Sequence, residues 1–233
     1  MSNIPTYKKK YLLIDGNYFA HRVIHGFMIT KPEFTLDSKQ DQYNFETMLN
    51  NSLVTLYKSF NNDFHRLIDN LIFVFDHKSW RKSVYYADNT DTSKQNTLFR
   101  PYYIDENSTE SLGYKDNRKD LKDSNDINWD AFDSCLNNFK NSINKTLASL
   151  NFEGAEGDDN LFLLTEELKK ENILSIIFCT DGDLNTLVDD YTIILKNTKS
   201  NKSPNGEFVI SENIYNQLFK EKAVLEKMLG SNF

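Results

Sequence analysis

Short apolar runs alternate with longer amphipathic stretches along most of the chain. The run 11–14 (YLLI) stops at Asp15-Gly16-Asn17, and residues 18–28 then read as a helix. A polar, turn-like stretch covers 31–42. From 42 to 60, Phe45, Met48, Leu49, Leu53, Leu56, Tyr57 and Phe60 fall on one helical face. A second buried strand, 71–75 (LIFVF), ends at Asp76. Helical spacing resumes over 129–150 through Phe132, Leu136, Phe139, Ile143, Leu147 and Leu150, and again over 160–170. A third strand, 175–180, ends at Asp181-Gly182-Asp183; a helical turn at 184–188 and a fourth strand at 191–195 follow. Ser203-Pro204-Asn205-Gly206 reads as a turn closing a hairpin onto 207–210, and Ser211 with Ile214 opens a last amphipathic helix through Leu229.

Strands alternating with helices predict an α/β domain with a mostly parallel, doubly wound, twisted sheet and helices on both faces. Residues 1–233 read as one domain, without internal repeats. The stretch from about 85 to 128 breaks the pattern. It is dense in Asp, Asn, Ser, Thr and Lys, and a loop that long inside a domain is either functional or disordered.

Composition adds bounds. With 39% hydrophobic and 13% aromatic residues, the chain can bury a substantial core. No apolar run reaches the ~18 residues that span a bilayer. The start of the chain lacks a signal peptide's long apolar stretch, and Cys135 and Cys179 form neither a CxxC nor a disulfide framework. A reducing, cytoplasmic setting is expected, with no membrane partner. The net charge of −7 at first argues against a protein coated for nucleic acid.

The placement of acids changes that. Asp15, Asp76, Asp181 and Asp183 follow strand ends, while Glu156, Asp158 and Asp159 sit where a helix begins. On a parallel sheet, those two kinds of position share one edge, where ligand sites lie. Each acid alone is better read as a turn or cap residue, and only their joint placement at one sheet edge reverses that preference. Together, crowded carboxylates need positive charge to offset their mutual repulsion. Oxygen ligation without His or Cys favours Mg²⁺ or Mn²⁺, and two such ions can hold a phosphodiester and activate water. These seven acids account for the whole charge imbalance, since without them acids and bases both number 27.

Five blocks in order carry a resemblance: LLIDGNYFAHR (12–22), FVFDHKSWRK (73–82), YKDNRK (114–119), FEGAEGDD (152–159) and CTDGDL (179–184). They resemble the catalytic domain of the 5′-nuclease (flap endonuclease, 5′–3′ exonuclease) family, nearest its bacteriophage ribonuclease H branch. The resemblance implies a PIN-like fold with a long arch-like insertion at 83–128. It also implies two-metal hydrolysis of DNA or RNA–DNA duplexes near 5′ ends or flaps, in phage replication, in the host cytoplasm. It makes Asp15, Asp76, Glu156, Asp158, Asp159, Asp181 and Asp183 metal ligands. Arg81 and Lys82 become phosphate contacts, and Lys115 and Arg118 the base of the arch. The implied protein is a monomer that meets single-stranded-DNA-binding or other replication proteins.

Lys or Arg beside a scissile phosphate also has a physical warrant, because the transition state gathers negative charge. Tyr85, Tyr86 and Tyr114 suit either base stacking or ordinary packing, and Trp80 suits core packing. Two departures stand out. The interval 83–113 is longer than in phage relatives. The family's Gly-Asp-x-x-Asp segment and helix–three-turn–helix module would begin where the chain stops, at 226–233, which implies an incomplete second metal site. A PIN-like single-strand ribonuclease and a non-catalytic nucleic-acid-binding scaffold are the competing readings. No GxxxxGK[ST] or GxGxxG is present, His21 and His25 lack a zincin's Glu, and His65 and His77 read as structural.

Overall fold

The apolar runs become the strands of a single six-stranded sheet. The computed structural model describes residues 7–31, 33–63, 68–77, 127–197 and 207–212. Its elements are β1 (Lys9–Asp15), α1 (Gly16–Thr30), α2 (Lys39–Asp63), β2 (Asn70–Val74), α3 (Trp129–Thr146), β3 (Ala148–Leu150), α4 (Gly157–Lys170), β4 (Ile173–Phe178), a 3₁₀ turn (Asp183–Leu187), β5 (Thr192–Asn197) and β6 (Glu207–Val209). The strand order is β3-β2-β1-β4-β5-β6, with every pair parallel except β5 and β6.

β1 lies in the middle, which explains its unbroken apolar run. Leu12, Leu13 and Ile14 are all fully buried, as a strand covered on both faces requires. Side chains alternate across the sheet. Leu12 and Ile14 join Phe73, Phe75, Ile176 and Phe178 on one face; Leu13 joins Val74, Leu161, Ile177 and Ile194 on the other. The first face is covered by α1, α2 and α3, which contribute Phe19, Phe45, Leu49, Phe132 and Phe139. Its centre is a set of edge-on and stacked rings: Phe19 lies 5.9 Å from Phe73, and Phe73 5.7 Å from Phe139. The second face is covered by α4, with Leu184 of the 3₁₀ turn beside it.

The structure corrects several sequence boundaries. The helical stretch expected over 129–150 ends at Thr146. Leu147 turns to extended backbone while its N–H still bonds the Ile143 carbonyl, and Ala148–Leu150 pairs with β2 as an edge strand. Leu147 and Leu150 continue the helical spacing by coincidence, and three residues are too few to show a strand's alternation. α2 begins at Lys39 within the stretch read as a turn, because the Ser38 hydroxyl accepts the Asp41 N–H at 3.0 Å and caps it. α4 starts at Gly157, three residues early, on a capping box between Glu156 and Asp159. The antiparallel pairing of 207–209 with β5 matches the expected hairpin. Residues 83–126 of the arch region and 213–229 of the last helix lie outside the described residues. Among the described residues, no helix is long and apolar enough to cross a membrane.

Candidate functional site

β1, β2 and β4 run parallel and in step, Asp15 opposite Val74 and Ile14 opposite Phe178, so their C-terminal ends form one edge. Asp15 is both the last residue of β1 and the N-cap of α1; its carboxylate accepts the Tyr18 N–H at 2.9 Å. The chain must turn from strand to helix against the Phe75 ring. A Cβ at Gly16 would stand 2.2 Å from that ring, so only glycine fits.

Asp76, two residues beyond β2, is exposed and held from both sides. Its Oδ2 accepts the Asn17 side-chain amide at 2.9 Å, and its Oδ1 accepts the Gly157 N–H at 2.5 Å, at the start of α4. An anion at a helix N-terminus is favourably placed. A Cβ at Gly157 would lie 2.7 Å from the same oxygen, so this glycine allows the carboxylate to approach. Next to it, the His77 N–H bonds the Ala155 carbonyl, and His77 Nδ1 accepts the Gly154 N–H at 3.1 Å. These bonds tie the end of β2 to the loop before α4. They also give His77 the structural role expected of it.

Glu156 is buried and caps α4, and Asp159 accepts the Glu156 N–H at 3.3 Å. Both therefore do the work of a cap while lying at the shared edge. Beyond β4, the Asp181 N–H points at Cys179 Sγ at 3.3 Å, and Asp181 Oδ1 accepts the Asp183 N–H at 3.1 Å. Asp181 and Asp183 are exposed.

The acids feel one another. Burial pushes the Asp15 carboxyl up to about 7, and Asp76 and Asp158 add to the rise against the opposing Tyr18 N–H bond. Burial likewise holds the Cys179 thiol up at about 12, reinforced by Asp15, Asp181 and Asp158; its sulfur lies 3.9 Å from Asp15 Oδ2. Asp15, Asp76, Asp158 and Asp181 thus share one electrostatic neighbourhood.

Among the described residues, no three His, Cys, Asp or Glu side chains stand ready as a metal-ligating group. The donor chemistry nevertheless suits a hard divalent cation. The acids offer oxygen only, and Asp15, raised to about 7 by its burial and by the charges of Asp76 and Asp158, is a carboxyl that a cation would favour in its ionised form. Arg81, Lys82, Tyr85, Tyr86, Tyr114, Lys115, Arg118 and Trp80 lie outside the described residues.

Sequence reasoning missed Asn17 and Gly157 as the groups that orient Asp76, since each passed as part of a turn or a helix start. It also missed Lys140. This half-buried side chain of α3 lies over the Phe75 ring, 5.4 Å from its centre, within the field of Asp76. The available signal was a lysine four residues after Leu136 and three before Ile143, along the apolar stripe.

At the sequence level the chain matches no described protein family and no curated protein. Solved structures do match. The bacteriophage T5 D15 protein co-crystallised with metal ions superposes with a TM-score of 0.51 at 13% identity, over 90% of this chain and 60% of that one. The T5 5′-exonuclease with divalent zinc ions bound gives 0.49 at 14% identity, over 89% of this chain and 60% of that one. The T5 D15 flap endonuclease in complex with DNA and metal ions gives 0.46 at 14%, over 90% and 60%. The chain spans about 60% of the length of these structures. Its mostly parallel six-stranded α/β architecture is the fold of the T5 5′-nuclease structures.

Proposed function

We propose that the protein is a Mg²⁺- or Mn²⁺-dependent 5′ nuclease that hydrolyses phosphodiesters near 5′ ends or flaps of DNA and RNA–DNA duplexes. The observation that carries this reading is the placement of Asp15, Asp76, Asp158 and Asp181 at the C-terminal edge, where β1, β2 and β4 end in register and Asp76 is tied to the starts of α1 and α4. Burial raises the Asp15 carboxyl to about 7, and the charges of Asp76 and Asp158 add to the rise, a perturbation of the kind that functional edges carry.

Asp15, Asp76, Asp158 and Asp181 would hold the cation, with Glu156, Asp159 and Asp183 completing the oxygen-rich edge. A bound divalent ion supplies positive charge to the developing phosphorane and an acidified water. The protein's own part is positioning. Asn17 and the Gly157 N–H fix the Asp76 carboxylate, and the Tyr18 N–H fixes that of Asp15. In this reading Arg81, Lys82, Lys115 and Arg118 meet the phosphates, and Tyr86 and Tyr114 stack on unpaired bases. The region 83–128 forms the arch. Removal of RNA primers and flaps in phage replication, alongside single-strand-binding or replication proteins, is the role that fits such a substrate.

The test is direct. Purified protein is given 5′-flap, nicked and RNA-primed duplexes, with single-stranded RNA as a further arm, in Mg²⁺ or Mn²⁺. Cutting of the 5′-ended duplexes that disappears in Asp181→Ala supports the proposal. Duplexes left intact in both metals sink it, and cutting confined to single-stranded RNA points to a ribonuclease instead.

A further inference from the structure

The proposed site has an electrostatic difficulty. Its acids repel the phosphates it must receive, and a bound ion offsets only part of that charge. A fixed cation on the same edge would help, and α3 carries one. Lys140 lies next to the buried Phe139 on the helix that packs against the first face of the sheet. Its ammonium sits 5.4 Å from the centre of the Phe75 ring. That ring is itself tightly packed. Phe73 stacks on it at 5.6 Å, Gly16 lies close against its Cδ1–Cε1 edge, and it is 1% exposed. Phe75 immediately precedes Asp76, so a cation seated on this ring is held beside the acid edge.

Asp76 does not need Lys140 for its hydrogen bonds, because its two oxygens already accept the Gly157 N–H and the Asn17 amide. Burial lowers the affinity of Lys140 for its proton, and the charge of Asp76 opposes that fall. A half-buried ammonium that its neighbour's hydrogen bonding does not require is well suited to an incoming anion. Lysine, a compact point charge, is a common phosphate binder. Resting on the nuclease reading of this edge, we infer that Lys140 is a substrate-binding cation that contacts a backbone phosphate beside Asp76.

The experiment compares Lys140→Met, which keeps the unbranched stem and removes the charge, with Lys140→Arg, which restores it. Binding of a 5′-flap duplex is followed by fluorescence anisotropy in Ca²⁺ across a salt series, and single-turnover cutting in Mg²⁺. Lys140→Met is expected to weaken binding about 10-fold and to lower the salt slope by about one. Cutting at subsaturating enzyme falls in parallel. Lys140→Arg recovers to within about threefold, and Mn²⁺ affinity and melting temperature stay as in the parent.

A salt slope and binding constant unchanged in Lys140→Met overturn the inference, as does a loss that Arg does not repair. A loss that tracks lowered Mn²⁺ affinity or melting temperature also overturns it, since that marks a structural role. If the parent protein cuts nothing, the nuclease reading falls, and the salt slope still decides whether Lys140 meets phosphate.

Discussion

Both edges of the parallel sheet carry aspartates, and the fold treats the two sets differently. At the N-terminal edge each acid has a definite partner. Asp69 accepts the Lys10 N–H at 2.7 Å, Asp189 takes the Lys169 ammonium and the Tyr191 N–H, and Asp190 accepts the Ser211 hydroxyl at 2.7 Å. Its carbonyl also receives the Tyr7 hydroxyl. At the C-terminal edge the donors to Asp15 and Asp76 are backbone N–H groups and one amide, and Asp15 has its proton affinity raised, chiefly by burial and further by Asp76 and Asp158. The same residue type thus closes the bottom of the sheet and charges the top. The kind of partner, not abundance, separates a clasp from a candidate site.

The comparison breaks most visibly in activity. Asp181→Ala at the upper edge is expected to lower cutting by about 10³-fold, the several kcal/mol that metal-assisted charge stabilisation supplies. Asp189→Ala at the lower edge should leave cutting within about twofold. Asp181 is exposed, so its melting temperature should hardly move. Equal losses from the two edges, read in a single-turnover flap assay, would dissolve the distinction.

Next come the glycines that let the upper edge close. Gly16→Ala drives a methyl to 2.2 Å from the buried Phe75 ring and is expected to cost about 1–3 kcal/mol in denaturant unfolding, as overpacking does. Gly157→Ala meets only a carboxylate oxygen, at 2.7 Å, which can swing into solvent. It should cost less stability than Gly16→Ala but lower cutting about 10–100-fold, because Asp76 loses its seat. A Gly157→Ala protein with full activity would show that this seat is dispensable.

How much of this was legible depends on how local each feature is. Buried strands announced themselves: the runs at β1, β2 and β4 were read within one or two residues, because strands covered on both faces need continuous apolar sequence. Their acids were legible for the same reason, since strand end and helix start share an edge in any parallel sheet. β3 was hidden because its three residues are a strand only by pairing with β2. Lys140 was hidden because nothing in a helical pattern says that its ammonium rests on Phe75, a residue 65 positions away on another element. The orientation of Asp76 by Asn17 and Gly157 was likewise a property of two strand ends meeting, invisible in either motif alone.

A smaller effect separates the edges by pH. Asp15 has its folded-state proton affinity raised from the ordinary 3.8 to about 7. Between those values the folded protein holds a proton that the unfolded chain has lost, so stability attributable to Asp15 is full below pH ~4 and declines up to pH ~7. Asp15→Asn keeps a capping side chain for the Tyr18 N–H and removes this titration. Without divalent ions, the variant should therefore be more stable than the parent at pH 8, by about 1 kcal/mol or more, and similar to it at pH 4. Chemical unfolding at both values measures the gap. A gap of the same size at both would show that the carboxyl's charge is not what the fold resists. With that charge gone, the variant should also be inactive, the cost in stability being the counterpart of the site.

The smallest effect belongs to the lower edge. The Lys169–Asp189 pair lies about one-third exposed, its side chains at 40% and 33%, so water and salt weaken it. Asp189→Ala is expected to cost only about 0.5–1 kcal/mol, part of it from the Tyr191 N–H that Asp189 also accepts. Lys169 has its proton affinity raised, chiefly by its hydrogen bond to Asp189. Its share of the stability is complete below the ordinary lysine range near 10.5 and fades only above it. Across pH 6–9 the difference between parent and Asp189→Ala should be flat, and it should shrink in 1 M salt. A difference that instead shrank or reversed through pH 4–7, because the parent lost stability there as it does through Asp15 at the other edge, would mean that the lower acids are charged against the fold too. The contrast between the two edges would then have to be abandoned.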